Sequence, residues 1–122
     1  MDLKLSGKIA VVTAASKGIG HAISDYFSAL RANDCARAAA SFADHAVVVD
    51  ERRRHVGRQA IEVWIEETQS KYSPVVEVLA SHVQGEQVEV TARVRGTFPG
   101  SPIQLSYVFI IQSSAIVSLE IH

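Results

Sequence analysis

The sequence holds one Cys, one Met, one Trp and three Pro in 122 residues, and its charges nearly cancel. A lone thiol, Cys35, excludes an internal disulfide framework and a thiolate-rich zinc site, and it fits a reducing cytoplasm. With 12 Lys plus Arg against 13 Asp plus Glu, the formal net charge is −1. That balance supplies no broad field for nucleic acid or an anionic membrane, so neither is expected as a partner. No apolar run is long enough to span a bilayer, and the start MDLKLSGK lacks the apolar stretch and cleavage site of a signal peptide. A cytoplasmic location is the resulting expectation. His21, His45, His55 and His122 make no pair with a carboxylate at ligand spacing, so no metal is expected. Repeats, low-complexity tracts and dividing linkers are also lacking.

What is present is a chain that is 48% apolar, enough for one real core. Its composition shifts along its length. Of the 22 residues from Ala22 to Ala43, 8 are Ala, whereas 14 of the last 48 are Val or Ile and only 3 are Ala. Helix is therefore expected first and sheet last. Ile9 to Val12 reads as a short strand and Ser16 to Gly20 as a turn. Ala22, Ile23, Tyr26, Phe27 and Leu30 then repeat at helical spacing, which predicts a helix from about Gly20 to Ala32. Asn33-Asp34 makes a stop and a new cap for a short helix from Cys35 to Ala43. His45 to Asp50 reads as a buried strand and Arg52, Arg53 and Arg54 as a solvated turn. Gly57 to Tyr72 carries Ala60, Ile61, Trp64, Ile65, Thr68 and Tyr72 on one helical face. Four strands close the chain, Val75 to Val83, Val88 to Phe98, Ile103 to Ile111 and Ala115 to Ile121, joined by short turns. In the second, Val88, Val90, Ala92, Val94 and Phe98 face one way and polar residues the other. A meander with one apolar face needs helices to cover it. The fold class expected is α+β, a curved antiparallel sheet wrapped around about three helices, with an extra N-terminal strand.

Two resemblances attach to particular strings. YFSALRAND at 26–34, SFADHAVVVDE at 41–51, HVGRQAIEVW at 55–64 and FPGSPIQLSYVF at 98–109 resemble, in that order, the SnoaL-like branch of the nuclear transport factor 2-like superfamily. The likeness covers residues 22–122 and implies a cone-shaped α+β barrel over 21–122. LSGKIAVVTAASKGIG resembles the first strand and glycine-rich turn of short-chain dehydrogenases/reductases, with Thr13, Ala14, Gly18 and Gly20 on the turn positions. In that family the turn approaches a cofactor pyrophosphate. The rest of such a site is missing. No Tyr is followed by Lys four residues later, and Asp50, the one carboxylate closing an apolar strand, lies 30 residues after Gly20 rather than about 20. Residues 1–20 are therefore expected to be an appended leader, not a functional dehydrogenase, and no cofactor is expected.

The superfamily resemblance implies chemistry in an apolar pocket inside the cone. By likeness to ketosteroid isomerases, Asp50 falls on the general base and Tyr26 on the oxyanion-hole tyrosine. The third isomerase residue, a protonated aspartic acid, falls on Ser106, which offers only an ordinary hydroxyl. A carboxylate ending the run AVVV is also partly desolvated on physical grounds, which raises its pKa and improves it as a base. The competing reading makes Asp50 the start of the polar turn, paired with a neighbouring Arg, and Tyr26 a core aromatic. His82, on the face of Val76, Val78 and Ala80, is a candidate pocket acid or base, or a core or rim histidine. Trp64, Phe98 and Tyr107 are candidates for core or pocket wall. Together these predict a small-molecule-binding protein with isomerase- or cyclase-type acid/base chemistry on a hydrophobic carbonyl compound, and a homodimer. The alternative is a non-catalytic ligand-binding or dimeric interaction module.

Overall fold

The computed structural model describes residues 17–122, with side chains from His21 onward. The strand expected at Ile9 to Val12 and the turn residues Thr13 and Ala14 lie outside the described residues. Helix α1 spans Lys17–Arg31 and so passes through Gly18 and Gly20, where a turn was expected. Its inward stripe is the one the spacing indicates, with Ala22, Ile23, Tyr26 and Phe27 buried. It stops at Asn33, which takes the left-handed conformation at φ 57°. Asp34 then caps α2, its carboxylate accepting the Arg37 N–H at 3.2 Å. Helix α2, Cys35–Ala40, is shorter than predicted. Phe42, expected on its inner face, instead opens strand β1 and pairs with Ile116, remaining fully buried.

Strand β1 runs Phe42–Asp50 and turns directly into β2, Arg53–Val56. The arginine run is exposed as expected, but only Arg52 lies in the turn, while Arg53 and Arg54 open the second strand of a hairpin. Glu51 and Arg52 form its two-residue turn at φ 54° and 66°. Such turns need positive φ at both positions and favour Asn-Gly, so Glu-Arg gives no sequence signal for one. Helix α3, Arg58–Tyr72, follows, burying Ile61, Trp64 and Ile65. Arg58 fastens its first turn to β1, donating from Nε and Nη2 to the Phe42 carbonyl at 3.1 and 2.8 Å.

Strands β3 (Val75–Gln84), β4 (Gln87–Arg95), β5 (Ile103–Gln112) and β6 (Ala115–Ile121) form the expected antiparallel meander. The sheet order is β2-β1-β6-β5-β4-β3. One pairing departs from expectation: β1 lies parallel to β6, so the sheet is mixed. It is also not closed, since β2 and β3 are its two edges. Periodicity tells which face of a strand is buried but not which neighbour it takes, and both features escape it. Three helices fill the concave side. Tyr26 stands at the centre of the core, its ring edge-on to Phe27, Phe42 and Phe109 at 5.2, 5.5 and 5.9 Å. Each such aromatic pair adds about 0.5–1.5 kcal/mol beyond its buried area.

The register corrects two residue placements. In β3, Val78 pairs with Ala92 but Ala80 with Thr91, leaving Leu79 as a bulge. An extra residue reverses the phase of everything after it. Ser81 and Val83 therefore face the buried Val90 and Val88, while His82 pairs with Glu89 on the outer face and is exposed. His82 is neither a core nor a pocket residue. In β5, Tyr107, Phe109 and Ile111 are buried, so Ser106 points outward. Its hydroxyl donates to Glu89 Oε2 at 2.7 Å.

Candidate functional site

Between α1, α3 and the concave face of the sheet lies a cavity of about 380 Å³. Its walls are apolar and aromatic: Leu30 from α1, Trp64, Ile65 and Tyr72 from α3, and Val76, Val94, Ile103, Leu105 and Ile121 from the sheet. Phe98 and Pro99, in the segment between β4 and β5, close one side. That segment is pinned to the end of α3, where the Tyr72 carbonyl accepts the Thr97 N–H at 2.8 Å and the Phe98 ring meets Tyr72 edge-on at 5.7 Å. The size and character match sites for small organic molecules, which are mostly apolar with a few placed polar groups.

The polar groups are few and come from specific elements. Asp50, the last residue of β1, reaches the cavity because it keeps the inward phase of Ala46 and Val48. The tight Glu51-Arg52 turn immediately after it holds the strand end in place. Its carboxylate is half-buried, and Oδ2 accepts the Trp64 indole N–H at 3.1 Å. Its hydrogen-bond partner is therefore an indole from α3, not an arginine of the turn. Desolvation raises the Asp50 pKa above the usual carboxylate range; the Trp64 hydrogen bond opposes the rise and the neighbouring Glu51 charge adds to it. Tyr26 and Tyr107 present their phenols to the same cavity. Burial pushes the Tyr26 phenol well above its ordinary pKa, with the nearby Tyr107 and Asp50 adding to the rise. Tyr107 is raised as well, first by burial and then by Asp50. Both phenols therefore stay protonated at neutral pH and keep an O–H that can donate to a ligand acceptor.

Of the residues singled out in the sequence, the structure gathers Tyr26, Asp50, Trp64, Phe98 and Tyr107 around one cavity and leaves His82 and Ser106 outside it. Tyr72, Thr68 and Gln69 also line it. Two of these are committed to the scaffold, Thr68 donating to the Trp64 carbonyl at 2.8 Å and Gln69 to the Leu30 carbonyl at 3.1 Å. The helical spacing of Trp64, Thr68 and Tyr72 was the available signal for that wall. A smaller cleft of about 70 Å³ shares Asp50, Trp64 and Tyr72 with this cavity and adds Arg53, His55, Glu67 and Lys71. His55 stacks on the Trp64 ring at 5.7 Å between centroids. Among the described residues no group of three or more His, Cys, Asp or Glu side chains could hold a metal ion. None of the described helices is long and apolar enough to cross a membrane.

Comparison with known proteins bears on this arrangement. Residues 23–113 match the model of the SnoaL-like domain. A candidate polyketide cyclase from Sinorhizobium meliloti superposes with a TM-score of 0.82 at 41% identity, over 84% of this chain and 94% of that one. A nuclear transport factor 2-like protein of unknown function from Cytophaga hutchinsonii gives 0.71 at 15% identity, over 83% and 85% of the two chains. A protein with a ketosteroid isomerase-like fold from Catenulispora acidiphila, solved with trimethylamine, gives 0.73 at 18% identity over 83% of each. No curated protein is significantly similar to the chain. These similarities lend the short-chain dehydrogenase resemblance of residues 1–20 no support.

Proposed function

The chain belongs to the SnoaL-like domain family, and from that premise we propose that its cavity holds a small hydrophobic carbonyl compound and performs cofactor-independent acid/base chemistry of the isomerase or cyclase type. The observation that carries this reading is the half-buried Asp50, held by Trp64 and opening onto an apolar cavity shared with Tyr26. A carboxylate of raised pKa in such a place is a better proton acceptor than one in water.

In the proposed step, Asp50 takes a proton from the carbon next to the carbonyl. The electron pair left behind moves onto the carbonyl oxygen as an enolate, and a tyrosine hydroxyl donates a hydrogen bond to that oxygen. Tyr26 fills this role. Tyr107 takes the supporting place to which the isomerase resemblance assigned Ser106, because it is the cavity-facing neighbour of that serine on β5. The enolate then either recovers the proton from Asp50 at another carbon or attacks a second carbonyl, with the Asp50 proton delivered to the new alkoxide. Positioned acid/base catalysis contributes about 10²–10⁴ in rate, and each oxyanion donor about 10²–10³. The domain is proposed to occupy residues 21–122, residues 1–20 being an appended leader, and the working form to be a homodimer.

Proton exchange tests the reading without knowledge of the natural substrate. Cyclic and aromatic ketones incubated with the protein in D₂O should lose their α-protons by NMR faster than in buffer. Asp50→Asn should lower that rate by about 10²-fold or more. Equal rates for the two proteins would remove Asp50 as the base and leave the cavity a binding site alone.

A further inference from the structure

The charged groups around the cavity form an unequal set. Asp50 and Glu51 line it, whereas no Lys, Arg or His among the described residues does. Arg53, His55 and Lys71 line instead the small adjoining cleft that shares Asp50, Trp64 and Tyr72 with the cavity, where Glu67 also sits. The remaining wall is rich in aromatic rings, among them Trp64, Tyr72 and Phe98. From this inventory, and resting on the reading of the cavity as a ligand site, we infer that the site selects by charge: it takes hydrophobic ammonium ions alongside neutral ketones and refuses carboxylates of the same shape.

Three physical effects act in one direction. An anion placed in the cavity would face the Asp50 carboxylate across a poorly solvated space, where like charges repel far more strongly than in water. It would also give up hydration without a cationic partner to replace it. An ammonium ion reverses both terms, because it compensates the half-buried Asp50 charge and donates to it the charge-assisted hydrogen bond that a ketone cannot. The electron-rich faces of the aromatic wall favour a cation for the same electrostatic reason. The ammonium nitrogen would lie where the proposed reaction places the acidic carbon, so an amine of suitable shape is a competitor of the ketone and not an occupant of a separate site.

Trp64 is the one tryptophan of the chain, and its indole bonds to Asp50, so its fluorescence reports directly on the cavity. Three probes sharing one rigid cage separate charge from shape: 1-aminoadamantane, 2-adamantanone and adamantane-1-carboxylate, titrated at pH 8 with calorimetry as a second readout. The amine should bind at least about tenfold more tightly than the carboxylate, and Asp50→Asn should weaken the amine by about tenfold while leaving the ketone within about twofold. A carboxylate that binds as well as the amine to the wild-type protein overturns the inference, and this comparison requires no variant to fold. If the ketone binds while the amine shows no advantage over the carboxylate, charge selection fails and the ligand-site reading stands. If none of the three binds, both fall.

Discussion

Trp64 sets the chemistry of Asp50 through a single hydrogen bond. The indole N–H donates to the ionised carboxylate at 3.1 Å and so stabilises the charged form, against a burial effect that disfavours it. Trp64→Phe keeps an aromatic wall but removes the donor. Burial and the Glu51 charge, which act upward, are then opposed only by the lesser effects of the His55 charge and the Glu51 backbone hydrogen bond, so the Asp50 pKa should rise further above the usual carboxylate range. A ¹³C-NMR titration of the Asp50 carboxyl reads this shift directly, and a midpoint that stays put or falls would contradict the role assigned to the indole. If Asp50 is the base, the acidic limb of the proton-exchange rate should move to higher pH in step with that midpoint, because the active carboxylate appears later in the titration. His55, stacked on the face of the indole, does not replace the donor.

At the scale of elements, the cavity depends on how the segment after β4 is fastened to the end of α3. Gly96 lies at the junction, its N–H donating to Ser101 Oγ at 2.9 Å. A Cβ added there would come within 2.5 Å of the Tyr72 carbonyl oxygen and 3.0 Å of the Phe98 ring. The obstacle is partly backbone and cannot swing aside. Gly96→Ala should therefore cost about 1–3 kcal/mol in urea unfolding, and it should loosen ketone binding by displacing Phe98 from the wall. Unchanged stability would mean that the junction is softer than its packing implies. The same elements show what a reader of the sequence can and cannot see. Helical spacing exposed α1 and α3, and the alternation of Val88, Val90, Ala92 and Val94 exposed β4, because a buried face leaves a periodic trace. Asp50 was legible as the polar end of an apolar strand. The bulge at Leu79 was not, since VVEVLASHV is apolar enough in either phase to hide a one-residue slip, and His82 was misplaced with it. β2 was missed because its turn is Glu-Arg. Ser106 was a different kind of error: Leu105, Tyr107 and Phe109 alternate with Gln104 and Ser106, so the strand's own pattern already turned the serine away from the cavity that the isomerase resemblance assigned to it.

At the scale of the whole molecule, the outer face of the sheet carries more apolar surface than its strands' polar residues suggest. Val47 and Val49 of β1 and Val108 and Ile110 of β5 point away from the core and are only partly exposed. The register sets them in two rows across β6, Val47–Ser118–Ile110 and Val49–Glu120–Val108. Four apolar side chains flanking Ser118 and Glu120 on the outer face suit a second copy of the same chain, because a two-fold interface needs one self-complementary patch and not two different ones. Under the homodimer proposed above, residues near the two-fold axis meet their own counterparts. Ile110→Glu would then bring carboxylates into an interface that offers them no partner, a far harsher change than on a free surface. The dimer dissociation constant should rise by about 100-fold or more, with far-ultraviolet circular dichroism unchanged because the side chain lies outside the core. Light scattering coupled to gel filtration gives the mass of each protein directly. A monomeric wild-type protein would reject the dimer, and a variant that remains dimeric would move the interface to another face of the molecule.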